Sequence, residues 1–227
     1  MLPDSFATGP YPEQAAQWPA SGRHILANHD DESIVVYQAY RPSIADFAVA
    51  HQRFGGEFSY SRMSWIKPNF LWMMFRSGWA TKDGQERILA VRVARASFDR
   101  WLAAAVPSSH DPDRYPSRDH WAQAVADSAV RLQWDPDHDP AGRPLERRAV
   151  QLGLRGVALR EYGEQALSIE DITPFVAAQR GFATGDFRHL RMPAERVYVP
   201  AGTAGRPGGR PAAQHLTGEA RWPQRSA

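Results

Sequence analysis

Arg62, Lys67 and Arg76 are threaded through the run Arg62-Met63-Ser64-Trp65-Ile66-Lys67-Pro68-Asn69-Phe70-Leu71-Trp72-Met73-Met74-Phe75-Arg76-Ser77-Gly78-Trp79, which also holds three of the eight tryptophans. A run this apolar belongs inside a domain, and cations are rarely buried there unless something anionic meets them. These three therefore either line a cleft that takes an anion or pair with carboxylates elsewhere in the fold. The pattern points to a site rather than to a particular reaction. Lys67 precedes Pro68, which fits the first turn of a helix, and a cation does not belong at the positive end of a helix dipole. A nearby anion resolves that conflict, as does solvent around the flexible stem. Arg76 has Asp46 or Glu86 as alternative partners. Trp72 and Trp79, two turns apart, also read as ordinary core packing.

The elements that must position these residues are legible in order. Ser33 to Tyr40 is β-branched and aromatic and stops at Arg41-Pro42, which predicts a strand. Ser43 caps a helix whose apolar positions Ile44, Phe47, His51 and Phe54 recur at spacings of three and four, ending at Gly55-Gly56. His51 reads as a core histidine. Ser64 to Ile66 is extended, and Phe70 to Trp79 forms a helix closed by Gly78, apolar all round and so buried between layers. Arg87 to Arg95 is the strongest strand and is expected to be central. Ser97 caps a helix through Leu102, and Ser117 one through Ser128. Val130 to Trp134 and Ala149 to Leu154 are strands, Val157 to Tyr162 is a short helix, and Leu167 to Thr173 is extended. Asp135 to Pro140 is acidic but lacks the glycine and distal glutamate of a calcium loop, so a turn cluster is expected and no metal.

Strands and helices mixed without regular alternation predict an α+β fold in a single compact mixed domain. Residues 1–22 read as an irregular lead-in, 23–200 as the domain, and 201–227 as a disordered basic tail rich in Gly, Pro and Arg. The tail carries Arg206, Arg210, Arg221 and Arg225 against Glu219, a net of +3, so with +2 for the whole chain the remainder is near −1. That distribution weakens a nucleic-acid reading based on charge alone. Cysteine is absent, which excludes disulfides, thiolate metal sites and a cysteine nucleophile. Neither a signal peptide nor an apolar run of about 20 residues is present, so a cytoplasmic protein away from the membrane is expected. GxGxxG, GxxxxGK[ST], HExxH and GxSxG are also missing, which removes the commonest nucleotide hydrolases, zinc peptidases and serine hydrolases.

Two resemblances follow. Val36-Tyr37-Gln38-Ala39-Tyr40, the run from Arg62 to Ala80, Gln133-Trp134-Asp135-Pro136 and Val150-Gln151-Leu152-Gly153-Leu154 together resemble a domain-of-unknown-function family of bacteria and fungi (DUF4291) over roughly residues 25–200. The layout is distantly similar to that of ADP-ribosyltransferases: a strand with Tyr-x-x-Tyr, a helix to a glycine turn, a short strand with Ser64, a helix and a long apolar strand.

The second resemblance implies a split sheet with flanking helices and NAD as substrate, without a metal. A nucleotide or nucleic acid is the implied acceptor. Gln38 and Tyr40 would hold the adenosine side. Gln38 stands where those enzymes carry a histidine that can likewise donate and accept hydrogen bonds. Ser64 lies on the short strand, Trp65 and Trp72 offer stacking, and Arg62, Lys67 and Arg76 would neutralise the diphosphate. The expected catalytic glutamate is replaced by Gln151, with Glu170 the nearest later carboxylate. A non-catalytic nucleic-acid-binding module using the same Arg, Lys and Trp cluster is the reading from another class. Lysine-dependent nucleotidyl transfer through Lys67 is a third. The oligomeric state is not readable.

Overall fold

The computed structural model describes residues 6–201. Two runs of β-branched and aromatic residues set its centre. β4 (Ser33–Tyr40) and β6 (Arg87–Ala94) pair antiparallel along their whole lengths, from Ser33 opposite Ala94 to Tyr40 opposite Arg87. β10 (Ser168–Asp171) adds to the free edge of β6, so β6 is the middle strand, as its continuous apolar run predicts.

A second sheet is built on β9 (Pro144–Leu154), which pairs antiparallel with β8 (Val130–His138). Beyond β8 lies β7 (Val106–Pro107) in parallel. β2 (Gly22–Arg23) and β5 (Ser64–Ile66) also pair with β9, parallel at Arg147–Arg148 and antiparallel at Leu152–Leu154 respectively. Two small ribbons complete the strands: β1 (Thr8–Pro10) with β11 (Arg191–Pro193), and β3 (Ile25–Ala27) with β12 (Arg196–Tyr198). The architecture is a mixed α+β domain.

Both faces of β4 are buried, which splits the core in two. Ile34 and Val36 pack with Ile66, Val91, Leu152 and Leu154 beneath α2 (Pro42–His51), α4 (Arg95–Ala104) and α6 (Gly156–Glu164). Val35 and Tyr37 face the other way, toward α3 (Phe70–Ser77) and α7 (Thr173–Arg180). α5 (Arg118–Asp127) is capped by Ser117, whose hydroxyl accepts from His120 N, and buries no residue. α1 (Tyr11–Ala15) leads into the buried Trp18.

Several expectations are corrected here. Within the described part of 1–22, the lead-in is ordered. Phe6 and Trp18 join the core against Leu190 and Met192 because β1 and β11 bring those segments together. The proline and glycine content hid two large aromatics. Asp135 to His138 is not a turn cluster but the end of β8, and only Asp139 onward turns, with Gly142 N donating to Asp139 O. Pro136 is tolerated within the strand beside a register shift of the ladder. Ser43 does not cap α2; its hydroxyl donates to Glu57, and Pro42 opens the helix instead. The stretch ending at Pro174 is likewise two elements, β10 and the proline-started α7. The proposed disordered tail lies, from residue 202 onward, outside the described residues.

Candidate functional site

The two sheets meet where β4 passes the segment after β5. Tyr37 N donates to Lys67 O at 2.7 Å, forming a single bridge between them. Beyond that junction opens a cleft of about 580 Å³, within the size range of ligand sites. β4 supplies Gln38 and Tyr40, β5 supplies Ser64 and Trp65, and β8 and β9 supply Gln133 and Gln151. Lys67 and α3's Arg76 form another wall, and Arg62 with Asp83 to Gln85 form the rim.

Strand alternation explains the floor. Val150, Leu152 and Leu154 are fully buried beneath β9, which leaves Gln151 and Gly153 to the other face. Gln133 lies directly opposite Gln151, with Asp135 two residues further along β8. Gln133 Nε2 donates to Asp135 Oδ1 and Gln151 Nε2 to Asp135 Oδ2, each at 2.7 Å. One carboxylate thus fixes both amides and leaves their carbonyl oxygens as acceptors. Trp65 lies over Gly153, its register partner. A Cβ there would fall 2.6 Å from Met63 Sδ and 3.0 Å from Trp65 Cε2, so the glycine makes room for both cleft-lining side chains.

A polar chain orders the β4 wall. Tyr162, fully buried on α6, donates to Gln38 Oε1 at 2.7 Å. Gln38 Nε2 then donates to Ser64 Oγ at 2.8 Å, and Ser64 Oγ lies 3.0 Å from the Tyr40 hydroxyl. Burial raises the Tyr40 hydroxyl above its ordinary value, against the hydrogen bonds from Ser64 and Gln38 and the charge of Arg62, so it stays protonated at neutral pH.

α3 holds Arg76 in place. Asn69 Oδ1 accepts from Trp72 N at 2.7 Å, and buried Glu195 accepts from Phe70 N at the same distance, so both cap the helix start. Gly78, at φ 59°, takes the left-handed turn that ends it. Pro68 was expected at the first turn, but the cap is Asn69 and the proline lies outside the helix. Arg76 Nη1 donates to Gln85 Oε1 at 3.2 Å; neither expected partner takes it, since Asp46 pairs with Arg87.

Lys67 is only 4% exposed. Its Nζ makes one long contact, donating to Trp65 O at 3.5 Å. Burial pushes the amine down to about 8; Arg76 adds to that, and Asp135 opposes it. Among the described residues no carboxylate lies within 4 Å of Arg62, Lys67 or Arg76. No group of three potential metal-ligating side chains occurs among them either.

Gln38, Tyr40, Arg62, Ser64, Trp65, Lys67, Arg76 and Gln151 therefore gather at one cleft. Two candidates do not. Glu170 lies on β10 opposite Ala90, in the other sheet, and does not line the cleft. Trp72 stacks at 5.2 Å on His138 and at 5.4 Å on Phe75 and does not line the cleft. Trp79 donates its indole N–H to Pro140 O. Both rings are buried, and Trp79 packs in the core beside Phe70, so neither lines the cleft. The sequence reading missed Gln133, Asp135 and Tyr162. The alternation Gln133-x-Asp135 was a usable signal once the strand was extended, whereas nothing local marked Tyr162.

No helix among the described residues is long and apolar enough to cross a membrane. No curated protein matches the chain. The family described as a domain of unknown function (DUF4291) matches residues 24–198, which include every residue of the cleft, and the chain belongs to that family.

Proposed function

We propose that the protein is an NAD-using, ADP-ribosyltransferase-like enzyme that acts in the cytoplasm on a nucleotide or nucleic-acid acceptor. The observation that carries this reading is the convergence of Arg62, Lys67 and Arg76, none with a carboxylate within 4 Å among the described residues, on a cleft whose other lining side chains include one carboxylate, Asp83, at the rim. Unpaired cations at a concave site favour a ligand with several negative charges, and a dinucleotide diphosphate supplies them.

NAD would bring the ADP-ribosyl group. On the protein's side, the cations would hold the diphosphate. Gln38 and Tyr40, locked by Ser64 and Tyr162, would present fixed hydrogen-bonding atoms to the adenosine ribose. Gln151, held by Asp135 through its amide nitrogen, would accept from a ribose hydroxyl with its carbonyl oxygen. Trp65 is the one tryptophan of the motif on the cleft, and its ring would cover a base. A binding module that stacks successive bases needs a row of such rings, so the burial of Trp72 and Trp79 tells against that second reading.

A thermal-shift series with NAD, ADP-ribose and short single-stranded RNA and DNA tests the proposal. Ligand at about 100 times its dissociation constant adds about 2.7 kcal/mol. The expected result is a rise with NAD and ADP-ribose that Arg76→Ala removes, together with an ADP-ribosyl mass gain on the acceptor. Stabilisation by oligonucleotide alone, steeply weakened by salt, would sink the enzyme and leave the binding module.

A further inference from the structure

Only two of the chain's 27 cationic residues are lysines, Lys67 and Lys82. Lys82 is exposed and donates to the last carbonyls of α3, at Phe75 and Arg76. Lys67 is buried at the cleft. In a chain that draws nearly all its positive charge from arginine, Lys67 is the buried one of two cations able to lose a proton and become a nucleophile.

The surroundings favour that use. Lys67 Nζ has the Trp65 carbonyl at 3.5 Å as its one hydrogen-bond partner. Of the charged or titratable groups around the cleft, Arg76 comes from α3, Arg62 from the rim before β5, Tyr40 from β4, Asp135 from β8 and Asp83 from the loop after α3. Asp135 is engaged by Gln133 and Gln151. A desolvated amine beside another cation is the arrangement that activates lysine toward carbonyl carbon. The two arginines, neither with a carboxylate within 4 Å among the described residues, can hold an anionic group on the same substrate.

We propose that Lys67 is an imine-forming amine for phosphorylated aldehydes or ketones, open-chain sugar phosphates being the substrate class. The neutral Nζ adds to the carbonyl carbon, and the C=O π pair passes to oxygen, which is protonated. That oxygen then leaves as water while the C=N bond forms, and the two protons given up by nitrogen balance the two hydrogens of the water. No oxidant, reductant or metal enters the balance. The Tyr40 hydroxyl lies on the same cleft and can hydrogen-bond the departing oxygen. The proposal rests on the cleft and not on NAD. A protein that ignores NAD still passes this test, and one that fails it can still bind NAD.

The experiment incubates the protein with pyridoxal 5′-phosphate or glyceraldehyde 3-phosphate, reduces it with borohydride, and maps the adduct by peptide mass. The expected result is reduced adduct on Lys67 at least tenfold above Lys82, rising with pH through a midpoint near 8. Arg62→Ala with Arg76→Ala should cut labelling by the phosphorylated aldehyde at least fivefold, while labelling by pyridoxal lacking the phosphate changes little. Lys67→Arg should remove the adduct. Should that variant fold poorly, the wild-type ratio of Lys67 to Lys82 labelling still decides. Equal labelling of the two lysines, or none at Lys67, overturns the proposal. Labelling of Lys67 as fast by pyridoxal as by its phosphate overturns the substrate class.

Discussion

The Tyr162 hydroxyl donates to Gln38 Oε1 at 2.7 Å across a separation of 124 residues, and so fixes which way the Gln38 amide faces. With its oxygen taken, the amide turns its N–H groups to Ser64 Oγ and, at 3.4 Å, the Trp65 carbonyl. Tyr162→Phe leaves a buried carbonyl oxygen unmet, which costs about 1–3 kcal/mol. Urea unfolding should show a lower midpoint with an unchanged slope, and ligand affinity should fall as the amide loses its orientation. An unchanged midpoint would mean that Gln38 is positioned by Ser64 alone.

Gly153→Ala acts on the cleft rather than on the chain as a whole. The added methyl must displace Met63 and Trp65, both of which line the site. Overpacking of this kind typically costs about 1–3 kcal/mol. The more telling readout is a change in tryptophan fluorescence together with at least a tenfold loss of ligand affinity. Retained affinity with the fluorescence unchanged would show that Trp65 does not depend on that glycine.

Lys67 imposes a pH dependence on stability. Its amine lies near 8 in the folded protein and at 10.5 when unfolded. Lowering the folded value means that the unfolded chain holds the proton more tightly. Stability from this group is therefore complete above 10.5 and is lost as pH falls through about 8. The difference corresponds to about 3 kcal/mol. Lys67→Met should be more stable than wild type at pH 7, with the gap narrowing between pH 8 and 10.5. Chemical denaturation at matched pH values measures it, and a gap independent of pH would show that the amine carries no desolvation penalty.

Glu195 behaves in the opposite sense. Burial raises its carboxyl well above the ordinary value, against the hydrogen bond from Phe70 N. Its favourable share is present below the unfolded value of 4.5 and is lost as pH rises through the folded one. Glu195→Gln keeps an acceptor for Phe70 N and removes the titration, so the variant should gain stability relative to wild type as pH rises from 4 to 7. Glu195→Ala should lose about 1–3 kcal/mol at pH 5 because Phe70 N goes unmet.

The sequence was most readable where periodicity and burial agree. Ser33 to Tyr40 is a strand from its first residue to its last because β-branched content and two-sided burial coincide, and the strand expected over Arg87 to Arg95 stops one residue early, at Ala94, because α4 begins at Arg95. The cations of the central motif were legible as cleft candidates because cations inside so apolar a run need an anion, but the sequence left carboxylate partners such as Asp46 open. Legibility failed where the deciding contact is distant. Trp18 is core because its indole N–H reaches the Glu195 carbonyl, 177 positions away, and its own neighbours carry no hint of that. Pro136 suggested a turn, yet the strand runs past it. Tyr162 entered the site through a side-chain bond that no spacing encodes.

The ribbon of Thr8–Pro10 against Arg191–Pro193 has a bearing on how the chain is made. At about 5–20 residues per second, about 10–40 s separate the appearance of β1 at the ribosome from that of its partner. β3 likewise waits for β12, so Leu26 and Trp18 stay exposed to the cell through most of synthesis. Domain closure is a late event, and the interval before it is when a nascent chain most needs a chaperone.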